Sequence, residues 1–278
     1  MKKIYQRLIG VLLTVIFSLS VIYIVDTNNF LYSYSFKITD NFYSINKKVN
    51  DSIVIVSIDD ESLKDDNLGN WKDWKRQYYA QVIENIEQDN ASVIGIDVLF
   101  FNDSDYEDDD QVLSNTLNTY DNIVLASKYD TSSNTFIYPK QEFIKSEDSL
   151  GFINIPIDND NIVRRAYAFL NIDDVYRESF DLKILRYYIT DSFKKDETSQ
   201  AIKDNIYTYI DKMYRLSFNQ NIKLGNIHIN LVDDNSYFMN FFGTPNSYNN
   251  ISFYKIFVFE KMFIRRTKIS LIFFRIVL

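Results

Sequence analysis

The hydrophobic pattern opens with LIGVLLTVIFSLSVIYIV at positions 8–25, a run without a single charge. An α-helix needs about 20 such residues to cross the ~30 Å hydrocarbon core of a bilayer, so a transmembrane helix is predicted over 8–25. Lys2, Lys3 and Arg7 precede the run and Asp26 follows it. By the positive-inside rule residues 1–7 then stay in the cytoplasm and the rest of the chain emerges on the other side. The competing reading is a cleaved signal peptide. The apolar run is longer than a signal-peptide core, and VIYIVD offers no A-x-A-like cleavage site, which favours an uncleaved single-pass anchor. Under either reading the body is extracytoplasmic.

Behind the anchor the period of the pattern changes. IVIVSI at 53–58 is a short β-branched run of the kind that forms a buried strand. Tyr79, Val82, Ile83 and Ile86 recur at helical spacing over 76–88, and SVIGIDVLF at 92–100 is a second strand. Strand, helix, strand at this spacing predicts a parallel βαβ unit. A helix over 110–119 (Val112, Leu113, Thr116, Leu117) and a strand at 123–127 extend it. Past Asp130 the pattern loosens into candidate strands at 136–138, 152–155 and 166–171, a helix over 180–189, a solvated helix over 194–214, and strands at 227–231 and 237–242. No repeat or linker divides the body, so the expectation is one α/β domain over 28–260 with a mixed, mainly parallel sheet flanked by helices. Residues 261–278 fall outside it. Their apolar run at 269–278 contains Arg275 and is too short to span a bilayer, which leaves a basic tail on a membrane surface or a truncated end.

Composition narrows the chemistry. The 278 residues carry a net charge of −8, no cysteine and a single histidine, His228. Thiolate catalysis, disulfides, Fe–S clusters and multi-histidine metal sites are thereby excluded, and an acidic chain is no general nucleic-acid binder. Three basic residues precede the anchor, and 244–278 holds six against Glu260 alone, so the negative charge is concentrated on the body. The 21 Tyr and 22 Phe accompany an excess of Asn, Lys and Ile, which reads as a codon bias rather than a ligand surface. No P-loop, nucleophile elbow or Gly-rich nucleotide motif occurs. Neither a cofactor nor an enzyme activity is expected.

Several segments in order carry a resemblance: IVIVSIDDESL at 53–63, Trp71 with Trp74-Lys75-Arg76, VIGIDVLF at 93–100, Asp109-Asp110 with Leu113, and GFINIPIDNDNIVRR at 151–165. Asn240 to Pro245, followed by Ile251-Ser252-Phe253, closes the series. Together they resemble the CHASE type 2 sensory domain, an extracytoplasmic module of bacterial receptors, over roughly 30–260. The resemblance implies a receptor whose sensory domain follows a membrane helix and passes a signal to a cytoplasmic output. Lys72 and Lys75 stand where the family often has prolines, and Asn161 where it usually has glycine. The family's last strand and its later membrane helices have no recognised counterpart here. A truncated receptor, or one working through a separate output partner or as a homodimer, is therefore expected at the plasma membrane.

In parallel α/β sheets ligands settle beyond the carboxyl ends of the strands. Asp59, Asp60 and Asp97 fall there and suit an oxygen-ligated cation; capping of the following turn by Asp59 or Asp60 is the plainer use. The same trio with Lys128 supports an alternative, a receiver-like or metal-binding α/β domain. No metal is assigned. The acidic run 103–110 lacks the glycine and terminal glutamate of a calcium loop and reads as a solvated turn favouring the next helix's dipole. Strand alternation puts one of Arg164 and Arg165 in solvent and the other against an acid. Trp71 and Arg76 are candidates for a pocket wall, and Asn154, Asp160 and Arg164 belong to the most distinctive stretch of the resemblance. The expected ligand-binding set is thus Asp59, Asp60, Trp71, Arg76, Asp97, Asn154, Asp160 and Arg164, for an unidentified small molecule or protein.

Overall fold

The computed structural model describes residues 2–27, 40, 48–65, 67–173, 175–194, 222–224, 227–232, 235–242, 247–258 and 271–276. Helix α1 (Lys2–Thr27) holds the apolar run, and the stretch Lys3–Val25 is long and apolar enough to cross a membrane. At 1.5 Å per residue its 23 residues reach about 35 Å. None of that stretch is buried against the protein.

The body is α/β, as expected. Strands β1 (Ile53–Ile58), β2 (Val93–Ile96) and β3 (Ile123–Asp130) form where the β-branched runs predict them. The short helix α2 (Asp60–Leu63) follows β1, α3 (Arg76–Glu87) precedes β2, and α4 (Asp109–Thr119) precedes β3. On β3 the N-terminal residues pair in parallel with β2 and with β5 (Leu150–Phe152), while its last three pair antiparallel with β4 (Thr135–Ile137).

Period-two alternation decides which face each strand residue serves. Ile94, Ile96, Ile123 and Leu125 join Val54, Val56 and Ile58 in one core, covered by Val82, Ile83 and Ile86 of α3 and Leu113 and Leu117 of α4. Val93, Val124 and Ala126 point the other way, onto Phe180 and Ile184 of α5 (Phe180–Lys194). Contact there is close enough that a Cβ on Gly151 of β5 would fall 2.5 Å from the Phe180 Cα. The opposite side of α5 buries Leu182 and Ile189 in a smaller core with Ala168, Phe169 and Ile222. That core lies among short antiparallel pairs: β6 (Arg165–Tyr167) with β11 (Ser236–Phe238), β7 (Phe169–Ile172) with β8 (Val175–Glu178), and β9 (Ile222–Leu224) with β10 (Ile227–Ile229). The solvated helix expected over 194–214 lies, from 195 on, outside the described residues.

One expectation is corrected at the sheet's centre. β1 and β2 are not neighbours; β13 (Leu271–Ile276) runs parallel between them, with Ile53 opposite Leu271 and Leu271 opposite Val93. On the far side β1 pairs in parallel with β12 (Asn249–Ser252), which leads into helix α6 (Phe253–Val258). The order is β12-β1-β13-β2-β3-β4, with β5 also beside β3. The residues assigned to a tail outside the domain therefore supply a central strand. Inner strands of parallel sheets read as unbroken apolar runs, which a local window cannot tell from a segment lying on a membrane.

Candidate functional site

An open cleft of about 450 Å³ lies where the chain leaves β2 through Asp97, Val98 and Leu99. This is the carboxyl end of a central parallel strand, where α/β sheets hold ligands. Its second wall is the segment leading into α3. Gly69, at φ +68°, turns the chain and accepts the Trp74 indole N–H at 3.0 Å. Trp74 is then buried 5.0 Å from the Phe253 ring. Trp71 stays at the surface, its indole N–H donating to the Tyr79 hydroxyl at 3.1 Å. Burial pushes the Tyr79 phenol up to about 12, an effect the Trp71 bond only partly offsets, so the pair is neutral across the physiological range. The third wall is the loop before α4, with Phe101, Asp103, Asp105 and Tyr106, and Ile153 also lines the cleft.

Helix α3 begins at this cleft, and its first N–H groups are satisfied from outside. Lys75 at the N-cap has no side-chain acceptor to offer. The buried Asp109 carboxylate instead accepts from the N–H of Arg76 at 2.5 Å and of Gln77 at 2.9 Å, and from the Ser104 hydroxyl at 2.6 Å. Asp109→Ala should therefore cost about 2 kcal/mol, the upper end of the capping range, measured by urea melts; a loss under about 0.5 kcal/mol would mean that the cap is dispensable. The acidic run is thus solvated only through Asp108, and its end is structural. Arg76 is engaged only in part, since its buried Nε and the Asp110 Oδ1 it faces have no hydrogen-bond partner. It lies over the Phe100 ring at 4.8 Å, donates to the Asn102 carbonyl at 3.1 Å and sits 3.4 Å from Asp110. Asp110 also binds Lys140, which contacts Asp103 and Glu142. Burial raises the Asp110 carboxyl, but hydrogen bonds from Lys140 and the Ser104 N–H outweigh that and leave it below its usual range.

Of the expected ligand set, the structure brings Trp71, Arg76 and Asp97 to this cleft and places the others elsewhere. Asp59 caps α2, accepting from the Ser62 N–H and from the Ser62 and Ser252 hydroxyls at 2.8–3.0 Å. Its carboxyl is raised by burial yet lowered further by those bonds. Asp60 is exposed and pairs with Lys64. Among the described residues no three acidic or histidine side chains are gathered as a metal would require, so the metal-binding alternative has no ligand set there. Asn154 clamps the N–H and the carbonyl of Tyr129 at the end of β3.

Asp160 and Arg164 belong to a second constellation, a buried ion cluster. Every N–H of the Arg164 guanidinium is used: Nε and Nη2 grip Asp40 at 2.7 Å, Nη1 and Nη2 grip Asp160 at 2.9 and 2.8 Å, and Nη1 reaches Asp158 at 3.0 Å. Arg165 does not face solvent as alternation predicts; it too binds Asp158, at 2.7 Å. The Arg164 hydrogen bonds hold the Asp160 carboxyl down at about 2 and the Asp40 carboxyl below its ordinary value. Asp158 and Asp40 escaped the sequence reading, although a buried arginine requires such partners.

Most of helix α1, the α/β body and the central strand β13 fall within a single match: the profile of the CHASE2 domain covers residues 9–277. The chain belongs to the CHASE2 family. CHASE2 domains are extracytoplasmic sensory domains rather than catalysts. No curated protein and no solved structure matches the chain. Two departures from the CHASE2 pattern are conformationally neutral. Asn161 has φ +62°, the left-handed region that asparagine tolerates best after glycine, and Lys75 keeps φ −75°, an angle proline would impose.

Proposed function

We propose that the protein is a non-catalytic receptor component of the plasma membrane. Helix α1 anchors it in a single pass, and the CHASE2 domain outside senses a ligand in the cleft at the end of β2, with Trp71, Arg76 and Asp97 among the contact residues. The observation that carries this reading is the placement of an extracytoplasmic sensory domain directly behind an apolar helix with Lys2, Lys3 and Arg7 on its near side. The Arg164–Asp40 bond adds a mechanical route. It ties Asp40, which follows α1 in the sequence, to the domain, and through that link a ligand that favours one arrangement of the domain biases the anchor.

Membrane topology tests the reading. An alkaline phosphatase fusion after Lys48 should be active and a green fluorescent protein fusion at the same point dark. The opposite pattern would put the domain in the cytoplasm and overturn the sensor.

A further inference from the structure

What the cleft offers a ligand is ring surface, set among hydrogen-bonding groups of both kinds. Three aromatic side chains remain exposed around it, Trp71 at 37%, Phe101 at 53% and Tyr106 at 39%. Single exposed aromatics are ordinary; several on one concavity of small-molecule size mark a surface kept for a partner. Their polar edges are already tied. The Trp71 indole N–H donates to Tyr79, and the Tyr106 hydroxyl donates to the Asp73 carbonyl at 3.0 Å. Ring faces are what remain, and Lys75 Nζ, 5.0 Å from the Tyr106 centroid, covers part of that one.

Charge does not select the ligand. Of the ionised groups in the lining, Arg76 faces Asp110, Asp103 is held by Lys140, and Asp97 is engaged within the protein. Lys72 and Asp105 make no ion pair among the described residues, and they are opposite in sign. Both are exposed, and at such positions an ion pair is worth only about 0–1 kcal/mol. Hydrogen-bonding capacity, by contrast, is left over in both directions. Arg76 Nη1 has no hydrogen bond to a described residue; it and the Lys72 ammonium can donate, and the Asp105 carboxylate can accept. A ligand without net charge, with hydroxyls around its rim and an apolar C–H face, fits that combination. Because the cleft is open, the outer hydroxyls of such a ligand stay hydrated, whereas a flat heterocycle stacked from one side would leave its second face in water.

We propose that the cleft binds a neutral saccharide. The C–H face of a sugar ring packs on Trp71 and Phe101, and its hydroxyls accept from Arg76 Nη1 and Lys72 and donate to Asp105. This deepens the sensory reading and rests on it.

The full chain, held in polyoxyethylene ether micelles that carry neither sugar nor charge, is titrated by calorimetry with glucose, galactose, mannose, N-acetylglucosamine and cellobiose. Its only two tryptophans, Trp71 and Trp74, both line the cleft, so intrinsic fluorescence locates the binding. Glucosamine and glucuronate present the glucose ring with a positive and a negative charge; adenosine and phenylalanine stand for a flat heterocycle and a zwitterion. At least one neutral sugar should bind saturably, with a Kd of about 1 mM or tighter, and shift the emission. Raising NaCl from about 0.05 to about 0.5 M should leave that Kd within about twofold, because no net charge is neutralised. Phe101→Ala should weaken the sugar about tenfold by removing a stacked face, and Asp105→Ala should weaken it severalfold by removing an acceptor. The ligand class is overturned if no neutral sugar binds at about 10 mM, tenfold above that Kd. It is equally overturned if a charged sugar, adenosine or phenylalanine binds tighter than every neutral sugar, if salt weakens binding about tenfold or more, or if both variants leave affinity unchanged. An extracytoplasmic reporter with no sugar binding would remove the ligand class alone, whereas a cytoplasmic reporter would remove the sensor with it.

Discussion

Arg164→Met should destabilise the domain by about 3 kcal/mol, because breaking a buried ion cluster from one side leaves charges without compensation. The side chain is 2% exposed and its guanidinium serves three carboxylates. Asp158 is also 2% exposed, but Arg165 remains on it after the substitution, and Asp40 at 35% exposure can recover water. Those two facts place the cost at the lower end of the range for such breaks. The acid limb carries the same signature. Asp160 and Asp40 are depressed in the folded protein, so their contribution is complete above the ordinary carboxylate value near 3.8 and is lost as pH falls towards about 2. The melting temperature should hold from pH 7 to about 5 and fall steeply between about 4 and 2, with a shallower fall in Arg164→Met. A variant within about 0.5 kcal/mol of the parent would show that the cluster holds nothing together.

Why Arg164 was legible as a residue of interest but not as this cluster is a matter of distance along the chain. Its tightest partner, Asp40, is 124 positions away, and no local period encodes such a pairing. The same limit hid the centre of the sheet. β1, β2 and β3 are short β-branched runs and α3 and α4 carry a period of 3.6, so each could be read one window at a time. Strand β13 has no period to read, and it enters the sheet only because Ile53 and Val93 on either side accept it from over 170 residues away. At the cleft, Asp97 was reachable because parallel sheets keep ligands at strand ends, and Trp71 and Arg76 as aromatic and basic candidates for a pocket wall. Phe101 and Tyr106 were not: an aromatic residue in an acidic run looks the same whether it faces solvent or a cavity. Asp109 illustrates the opposite error, in which a buried cap of a neighbouring helix was taken for part of a solvated turn.

Glu178→Gln should cost about 3–5 kcal/mol, although it alters neither the shape nor the size of the side chain. Glu178 closes β8 and is 6% exposed; beside it Lys183 and Arg186 of α5 are 6% and 5% exposed. Its two oxygens accept from Arg186 Nε and Nη2 at 3.0–3.2 Å, and Oε2 lies 2.8 Å from Lys183 Nζ. Among the described residues only Asp148, whose side chain is 54% exposed, would remain to balance two buried cations. The amide cannot share their positive charge, and its NH₂ group would face donors. Helix α5 joins the second face of the sheet, through Phe180 and Ile184, to the smaller core, through Leu182 and Ile189. The loss should therefore appear as one cooperative weakening, with amide exchange rising in α5 and in the β7–β8 pair together. Replacing Glu178, Lys183 and Arg186 by methionine at once should restore much of the stability, since an apolar trio of similar volume carries no desolvation cost. If the single variant melts like the parent, or the triple variant is worse than the single, the cluster does not fix α5 between its two cores.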